Sequence, residues 1–397
     1  MKSRPAKSHN LSFDNTEIAF RGKSNADLTR AYWLFKFISI KFLTKIGPPI
    51  TNVALKLGLP IKSMIKATIF RQFCGGESIV ECEQAVAQLH AGSVGSILDY
   101  SVEGEDEEDV FDHTCEEIMK TIRHADGDDR IPLTVFKVTG LGRFALLEKI
   151  NAGQALEAAE KSEFQRLSHR VDQICRLAHE LNVRVMIDAE ESWIQDPIDS
   201  MALEMMRRYN QEKAIVFNTY QLYRNDKLAS LQADFTLALS EKFILGAKLV
   251  RGAYMEKERN RAEEMAYASP IHADKESTDH DYNDALKFCI SRIDSISFVA
   301  GTHNELSCGL LAELLDEKGI PHDHEHIYFS QLLGMSDNLS FNLAAAGYKV
   351  VKYVPYGPVK AVMPYLFRRA EENTSVAGQM GRELRLISAE MKRRKIK

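Results

Sequence analysis

The chain has 397 residues, 45% of them apolar and 27% charged, with a net charge of −5 and an isoelectric point near 6.2. That balance is ordinary for a folded enzyme and offers nucleic acid no electrostatic footing. Six cysteines at 74, 82, 115, 175, 289 and 308 form no CxxC pair, which excludes a disulfide framework and points to reduced, mostly buried thiols inside a cell.

The first ten residues, MKSRPAKSHN, are basic, but no apolar segment follows before Asp14 and Glu17. A secretory signal is therefore disfavoured and no transit peptide is evident, so the expected place is the cytoplasm, or the mitochondrion if the source cell is eukaryotic. Residues 28–76 hold no acid and eight basic side chains. Helices are expected there at 28–43, 53–57, 61–73 and 79–91, punctuated by Gly47-Pro48-Pro49, Gly58-Leu59-Pro60 and Gly75-Gly76. Within them 31–43 (AYWLFKFISIKFL) alternates aromatic residues with lysines, as in a helix that either lies on an anionic membrane or packs on the rest of the chain. No run of 18 uncharged apolar residues occurs, so a membrane-spanning helix is not expected. Residues 103–112 carry seven acids and read as a solvated loop and helix start.

From residue 94 short apolar runs alternate with helical patterns. The runs are 94–99 (VGSILD), 133–138 (LTVFKV), 183–188 (VRVMID), 214–218 (AIVFN), 247–250 (AKLV), 296–300 (ISFVA), 327–329 (IYF) and 350–354 (VVKYV). Rich in β-branched residues and barely alternating, they fit parallel strands covered on both faces. Eight in succession favour an α/β fold, a closed (βα)8 barrel of the TIM type. The expected organisation is an N-terminal helical arm over 1–93 and a barrel domain over 94–397, with a C-terminal helix over the barrel mouth. Charged and amide side chains gather just after the runs, where barrels place their chemistry. Gly140-Leu141-Gly142 is not a full GxGxxG and follows a barrel strand, so dinucleotide binding of the Rossmann kind is not expected. His322, His324 and His326 alternate in HDHEH before the seventh run and read as surface; no metal site is expected.

After the last run, Gly357-Pro358 opens a helix at about 359–373, and a charged helix follows from 379. In PYLFRRAEEN, helical spacing puts Tyr365, Arg368, Arg369 and Glu372 on one face. Two arginine forks suit a carboxylate.

The run KYVPYGPVKAVMPYLFRRAEEN closely resembles the C-terminal signature of proline dehydrogenases. The blocks GSILDYSVE (95–103), MIDAEES (186–192), AKLVRGAYM (247–255), GTHN (301–304) and QLLGMSDNL (331–339) match that family in the same order, and the loop at 267–283 has its look. The resemblance spans roughly residues 60–380. It implies FAD-dependent oxidation of L-proline to Δ1-pyrroline-5-carboxylate, with electrons passed to membrane quinone, peripheral contact with an inner membrane, and pyrroline-5-carboxylate dehydrogenase as a partner. By resemblance Arg368 and Arg369 grip the substrate carboxylate, Lys137 contacts substrate, and Tyr353 and Tyr365 wall the ring. Glu103 and Glu372 hold the arginines. Asp188 is the active-site aspartate. Ala189, Gln221, Arg251, Gly252, Ala253, Thr302, His303 and Asn304 match flavin contacts. Where many bacterial members carry arginine upstream of the GAY turn, this chain has Lys248, which by resemblance takes a catalytic and flavin-contacting place and keeps the charge near the flavin without the planar fork. The rival readings are a hydroxyproline dehydrogenase of the same architecture, which the bulk of Tyr353 disfavours, and an idle barrel that docks on membranes or partners.

Overall fold

A computed structural model describes residues 11–38, 62–101, 107–375 and 379–396, with the side chains of 370–380 left out of the description. Eight strands form one closed parallel barrel in chain order. They are β1 (Val94–Tyr100), β2 (Leu133–Lys137), β3 (Arg184–Asp188), β4 (Val216–Gln221), β5 (Leu245–Val250), β6 (Ile296–Gly301), β7 (Ile327–Leu332) and β8 (Val350–Tyr356). All eight expected runs are strands. Their near-continuous burial explains the weak alternation in the sequence, since no strand has a solvent face to keep polar. The end points differ. The run at 214–218 becomes Val216–Gln221, because Asn218, Thr219, Tyr220 and Gln221 all pair with β5 despite their polarity.

The chain divides into two compact units. The first includes residues 104–330 and carries β2 to β6, each strand in parallel register with the next. The amino ends of two of its strands are tied by Asn210, at the end of the helix Ser192–Tyr209. The Asn210 Nδ2 donates to the carbonyls of Val216 and Ile244, and its Oδ1 accepts from the amides of Ile215 and Val216, so one buried amide satisfies four main-chain groups. The acids expected on a solvated helix start are partly recruited inward. Arg170, buried on the helix Ala158–Glu180, pairs with Glu108 and, at 2.7 Å, with Asp112. In the HDHEH run the His322 Nε2 meets Asp316 at 2.9 Å and the His326 Nδ1 meets the Ile293 carbonyl at 2.8 Å.

The second unit is formed by residues 10–103 and 331–397. In it β1 and β8 pair in parallel, Ile97 opposite Tyr353. Its apolar cluster joins Leu28 and Phe35 of the helix Asn25–Ile38 to Phe70 and Phe73, Val359, Leu366, Leu386 and Ile387. The expected helix at 28–43 is seen to Ile38, and the one at 53–57 lies outside the described residues. The segment Lys62–Ile65 passes through a π-helical turn, Lys66–Phe70, into Arg71–Phe73. The helix expected from 359 begins instead at Met363, after a turn in which Ala361 and Val362 donate to the Pro358 carbonyl, with Gly357 at φ +142°. Lys352 of β8 is fully buried, its Nζ donating to Asp337 Oδ1 and the Met335 carbonyl, both at 2.6 Å.

Candidate active site

In a parallel sheet each strand's carboxyl end opens into a loop, so side chains there are positioned by rigid backbone yet face space the sheet does not fill. In the first unit these ends bring together most of the residues singled out from sequence. Lys137 closes β2 and lies in register with Asp188, which closes β3. Lys248, buried in β5, reaches Asp188 with its Nζ 2.5 Å from Oδ1. The two residues read separately as catalytic thus form one ion pair, across a gap of 60 residues in the chain.

Gln221, at the end of β4, is held at both ends of its amide. Its Nε2 donates to the Glu190 carbonyl at 2.7 Å, and its Oε1 accepts from the Ala253 amide at 3.2 Å. The amide group is therefore fixed in orientation, with its donor and acceptor atoms assigned by what they touch. Ala189, buried, lies between Asp188 and Glu190. Gly252 has φ +141°, a conformation L side chains rarely adopt, and a Cβ there would lie 2.5 Å from the Tyr223 ring. Glycine is required at this turn for both reasons.

Arg251 is the hub of a second network. Its Nε donates to Asp279 at 2.7 Å, Nη1 to the Thr302 hydroxyl at 2.6 Å and Nη2 to the Ser307 hydroxyl at 2.9 Å, while the guanidinium lies 4.4 Å from the centre of the Tyr282 ring. Thr302 also accepts from the Asn304 amide, and the Asn304 side chain caps the helix Glu305–Lys318 through the Ser307 amide at 3.1 Å. Burial works against the charge of Asp279, but Lys275 and Arg251 hold its carboxyl below the usual range. His303 is half-buried between Thr302 and Asn304.

In the second unit Tyr353 is buried in β8, and its carbonyl accepts from the Leu333 amide at 2.9 Å. Tyr365 and Arg369 share a helix face as their spacing predicts: the guanidinium sits 5.2 Å from the Tyr365 ring centre, and both side chains are buried. Arg368 is half-buried. Glu103 and the side chain of Glu372 lie outside the described residues.

Sequence reasoning missed four supporting residues. Glu190 lies in the MIDAEES block, and Asp279 and Tyr282 in the loop at 267–283, without a role of their own, and Ser307 carries no motif. The TDHDY segment held the one available signal, since Asp279 and Tyr282 stand three apart on a helix and present one face to Arg251. Glu190 is buried, and burial pushes its carboxyl up to about 7 against the pull of the Lys137 charge and the Thr139 hydrogen bonds.

A sequence model of the family described as proline dehydrogenase matches residues 82–382. The mitochondrial proline dehydrogenase 1 of Dictyostelium discoideum is 33% identical, over 97% of this chain and 75% of that protein. The carbapenem antibiotics biosynthesis protein CarD of Pectobacterium carotovorum subsp. carotovorum is also 33% identical, over 81% of this chain and 83% of its own length. Human mitochondrial proline dehydrogenase 1 is 42% identical over 59% of this chain and 40% of that protein. Among solved structures, proline utilization A from Bdellovibrio bacteriovorus, inactivated by N-propargylglycine, superposes with a TM-score of 0.72 at 19% identity. The match covers 96% of this chain and 40% of that one, and at such identity it speaks for the fold alone.

Proposed function

We propose, because the chain belongs to the proline dehydrogenase family, that it oxidises L-proline to Δ1-pyrroline-5-carboxylate with FAD as the immediate acceptor. The observation that carries this reading is the buried Lys248–Asp188 pair at the strand ends, next to a Gln221 amide fixed at both ends. The barrel domain in this reading is 94–397, with 1–93 as a helical arm.

The residues present suit a flavin. Arg251 supplies a fixed cation, the helix Glu305–Lys318 supplies an N-terminus, and both favour the anionic diphosphate of a dinucleotide. Gln221 offers both a donor and an acceptor to a ring edge, and the turn at Gly252-Ala253 presents main chain without bulk. Thr302, His303, Asn304 and Ala189 complete the proposed contacts. When bound, FAD would supply the hydride acceptor for the ring carbon next to nitrogen.

The side chains do the rest. Arg368 and Arg369 bind the proline carboxylate, Arg369 being pre-set by its stacking on Tyr365. Lys137 adds a third positive charge. Asp188, held by Lys248, balances the charge of the ring nitrogen and settles where its proton resides. Tyr353 and Tyr365 exclude water from the apolar ring, and Glu103 and Glu372 brace the arginines. Such fixed placement is what turns binding into rate. The buried bulk of Tyr353 supports proline over hydroxyproline as substrate.

Electrons then pass to membrane quinone. Exposed Trp33 and Phe37, with Lys36 lying 4.8 Å from the Trp33 ring centre, support peripheral attachment of the helix Asn25–Ile38 to an anionic inner-membrane surface. The place would be the cytoplasmic side in a bacterium and the mitochondrion in a eukaryote, with pyrroline-5-carboxylate dehydrogenase taking the product. One anaerobic absorption spectrum tests the core of this. The purified protein should be yellow and should bleach on adding L-proline, and an unchanged flavin spectrum would refute the assignment.

A further inference from the structure

Glu190 stands two residues beyond Asp188, in the loop leaving β3, and is buried. Removing a carboxylate from water is costly unless other groups replace the lost hydration. Here Thr139 supplies two such contacts: the Glu190 Oε1 accepts from the Thr139 amide at 3.0 Å, and Oε2 accepts from the Thr139 hydroxyl at 2.5 Å. Thr139 lies in the 3-10 turn Val138–Gly140, which follows Lys137 directly. The main chain of Glu190 is engaged as well. Its amide donates to Gln195 Oε1 and its carbonyl accepts from Gln221 Nε2, both at 2.7 Å. Gln221 in turn accepts from the Ala253 amide.

One residue therefore touches the turn after β2 with its side chain and the end of β4 with its main chain. A purely structural loop residue has no need of an ionisable group for this, because an amide or hydroxyl would satisfy Thr139 at lower desolvation cost. The charge has a use if it acts on Lys137. We propose that Glu190 is a positioning residue for Lys137, its carboxylate fixing the turn that carries the lysine and attracting the lysine charge, while its main-chain carbonyl orients Gln221.

This rests on the reading above that Lys137 meets the substrate. Among the charged groups near Glu190, Lys137 favours its ionised form and the neighbouring Glu191, itself paired with Lys257 at 2.7 Å, opposes it. With its carboxyl pushed up to about 7 by burial, Glu190 is ionised above that pH and protonated below it. A protonated carboxyl keeps less attraction for Lys137 and accepts less well from both Thr139 donors. The hold on Lys137 is thus full on the alkaline side and is lost as pH falls through about 7.

The test is steady-state kinetics with L-proline on the FAD-loaded full chain, from about pH 6 to about pH 8, bracketing that titration. In Glu190→Gln the KM should rise about tenfold at the alkaline end, the loss expected for one charge-assisted hydrogen bond, while kcat stays within about twofold. The rise in KM that the unaltered chain shows on acidification should disappear in this variant. Its FAD dissociation constant, read by flavin fluorescence, should stay unchanged, because the contact to Gln221 is main-chain. Thr139→Val should reproduce the KM increase and Thr139→Ser should not. Unchanged KM and pH profile in Glu190→Gln would overturn the proposal, as would a loss of FAD affinity without a change in KM. If Glu190→Gln fails to fold, equal KM values for the two Thr139 variants would overturn it. Lys137→Met separates the levels: an unchanged KM there sinks the substrate role of Lys137 itself, whereas a raised KM there beside a normal Glu190→Gln sinks only the positioning role.

Discussion

Replacing Lys248 by methionine removes one charge of a buried pair while nearly keeping its volume. The Nζ lies 2.5 Å from Asp188 Oδ1, with the lysine side chain 7% and the aspartate 15% exposed. At an effective dielectric constant of about 20, two unit charges at that separation attract by roughly 7 kcal/mol, a gross term largely offset by desolvation of both ions. The variant loses the attraction but keeps the cost of burying Asp188. Breaking a buried pair in this way costs about 3–5 kcal/mol, and the residual exposure of Asp188 argues for the lower end, about 3 kcal/mol. A chain of 397 residues unfolds with an entropy of roughly 0.8 kcal/mol/K, so the melting temperature should fall by about 4 °C. Differential scanning calorimetry at one fixed FAD concentration reads this shift without relying on catalysis. Adding Asp188→Leu should restore much of the loss, giving a coupling energy of about 2 kcal/mol in the double-mutant cycle. Additive single-variant effects, or a melting temperature unmoved by Lys248→Met, would refute the reasoning.

Three further outcomes are expected. Arg369→Met should raise the KM for proline more than tenfold, about 1.5 kcal/mol or more of charged hydrogen bonding, and unchanged proline kinetics would count against the arginine clamp. Arg251→Gln should weaken FAD binding about tenfold in a fluorescence titration, because the planar cation stacked on Tyr282 has no substitute there; equal affinity would remove Arg251 from the cofactor site. Lys66 and Lys62 hold the Glu77 carboxyl down to about 2, against burial that raises it and below its ordinary 4.5. A depressed folded-state pKa stabilises above the unfolded value and loses that contribution as pH falls, so the urea midpoint should decline between about pH 5 and about pH 2 less steeply in Glu77→Gln than in the unaltered chain.

The strands were legible because parallel barrel strands, buried on both faces, leave unbroken apolar runs. Their limits were less so: the polar half of β4, Asn218 to Gln221, looked like the start of a loop and is hydrogen-bonded strand. The π-helical turn at Lys66–Phe70 leaves no mark in a helical hydrophobic pattern. Residue types at strand ends could be read as chemistry, but their partners could not. Lys248 and Asp188 were picked out separately, and only the fold makes them a pair. Arg251 was visible in its motif, whereas Asp279 and Ser307, which aim it, lie 28 and 56 positions away and have no meaning until their helices are placed.

Asn210 suggests how such a scaffold tolerates change. Its amide fastens the beginnings of β4 and β5, while Gln221 and Lys248 act from farther along the same two strands. Fastening and chemistry are thus separated along each strand's length, by several residues at about 3.3 Å each. New substrates can be explored by altering side chains at one end while the anchorage that Asn210 provides at the other is left alone.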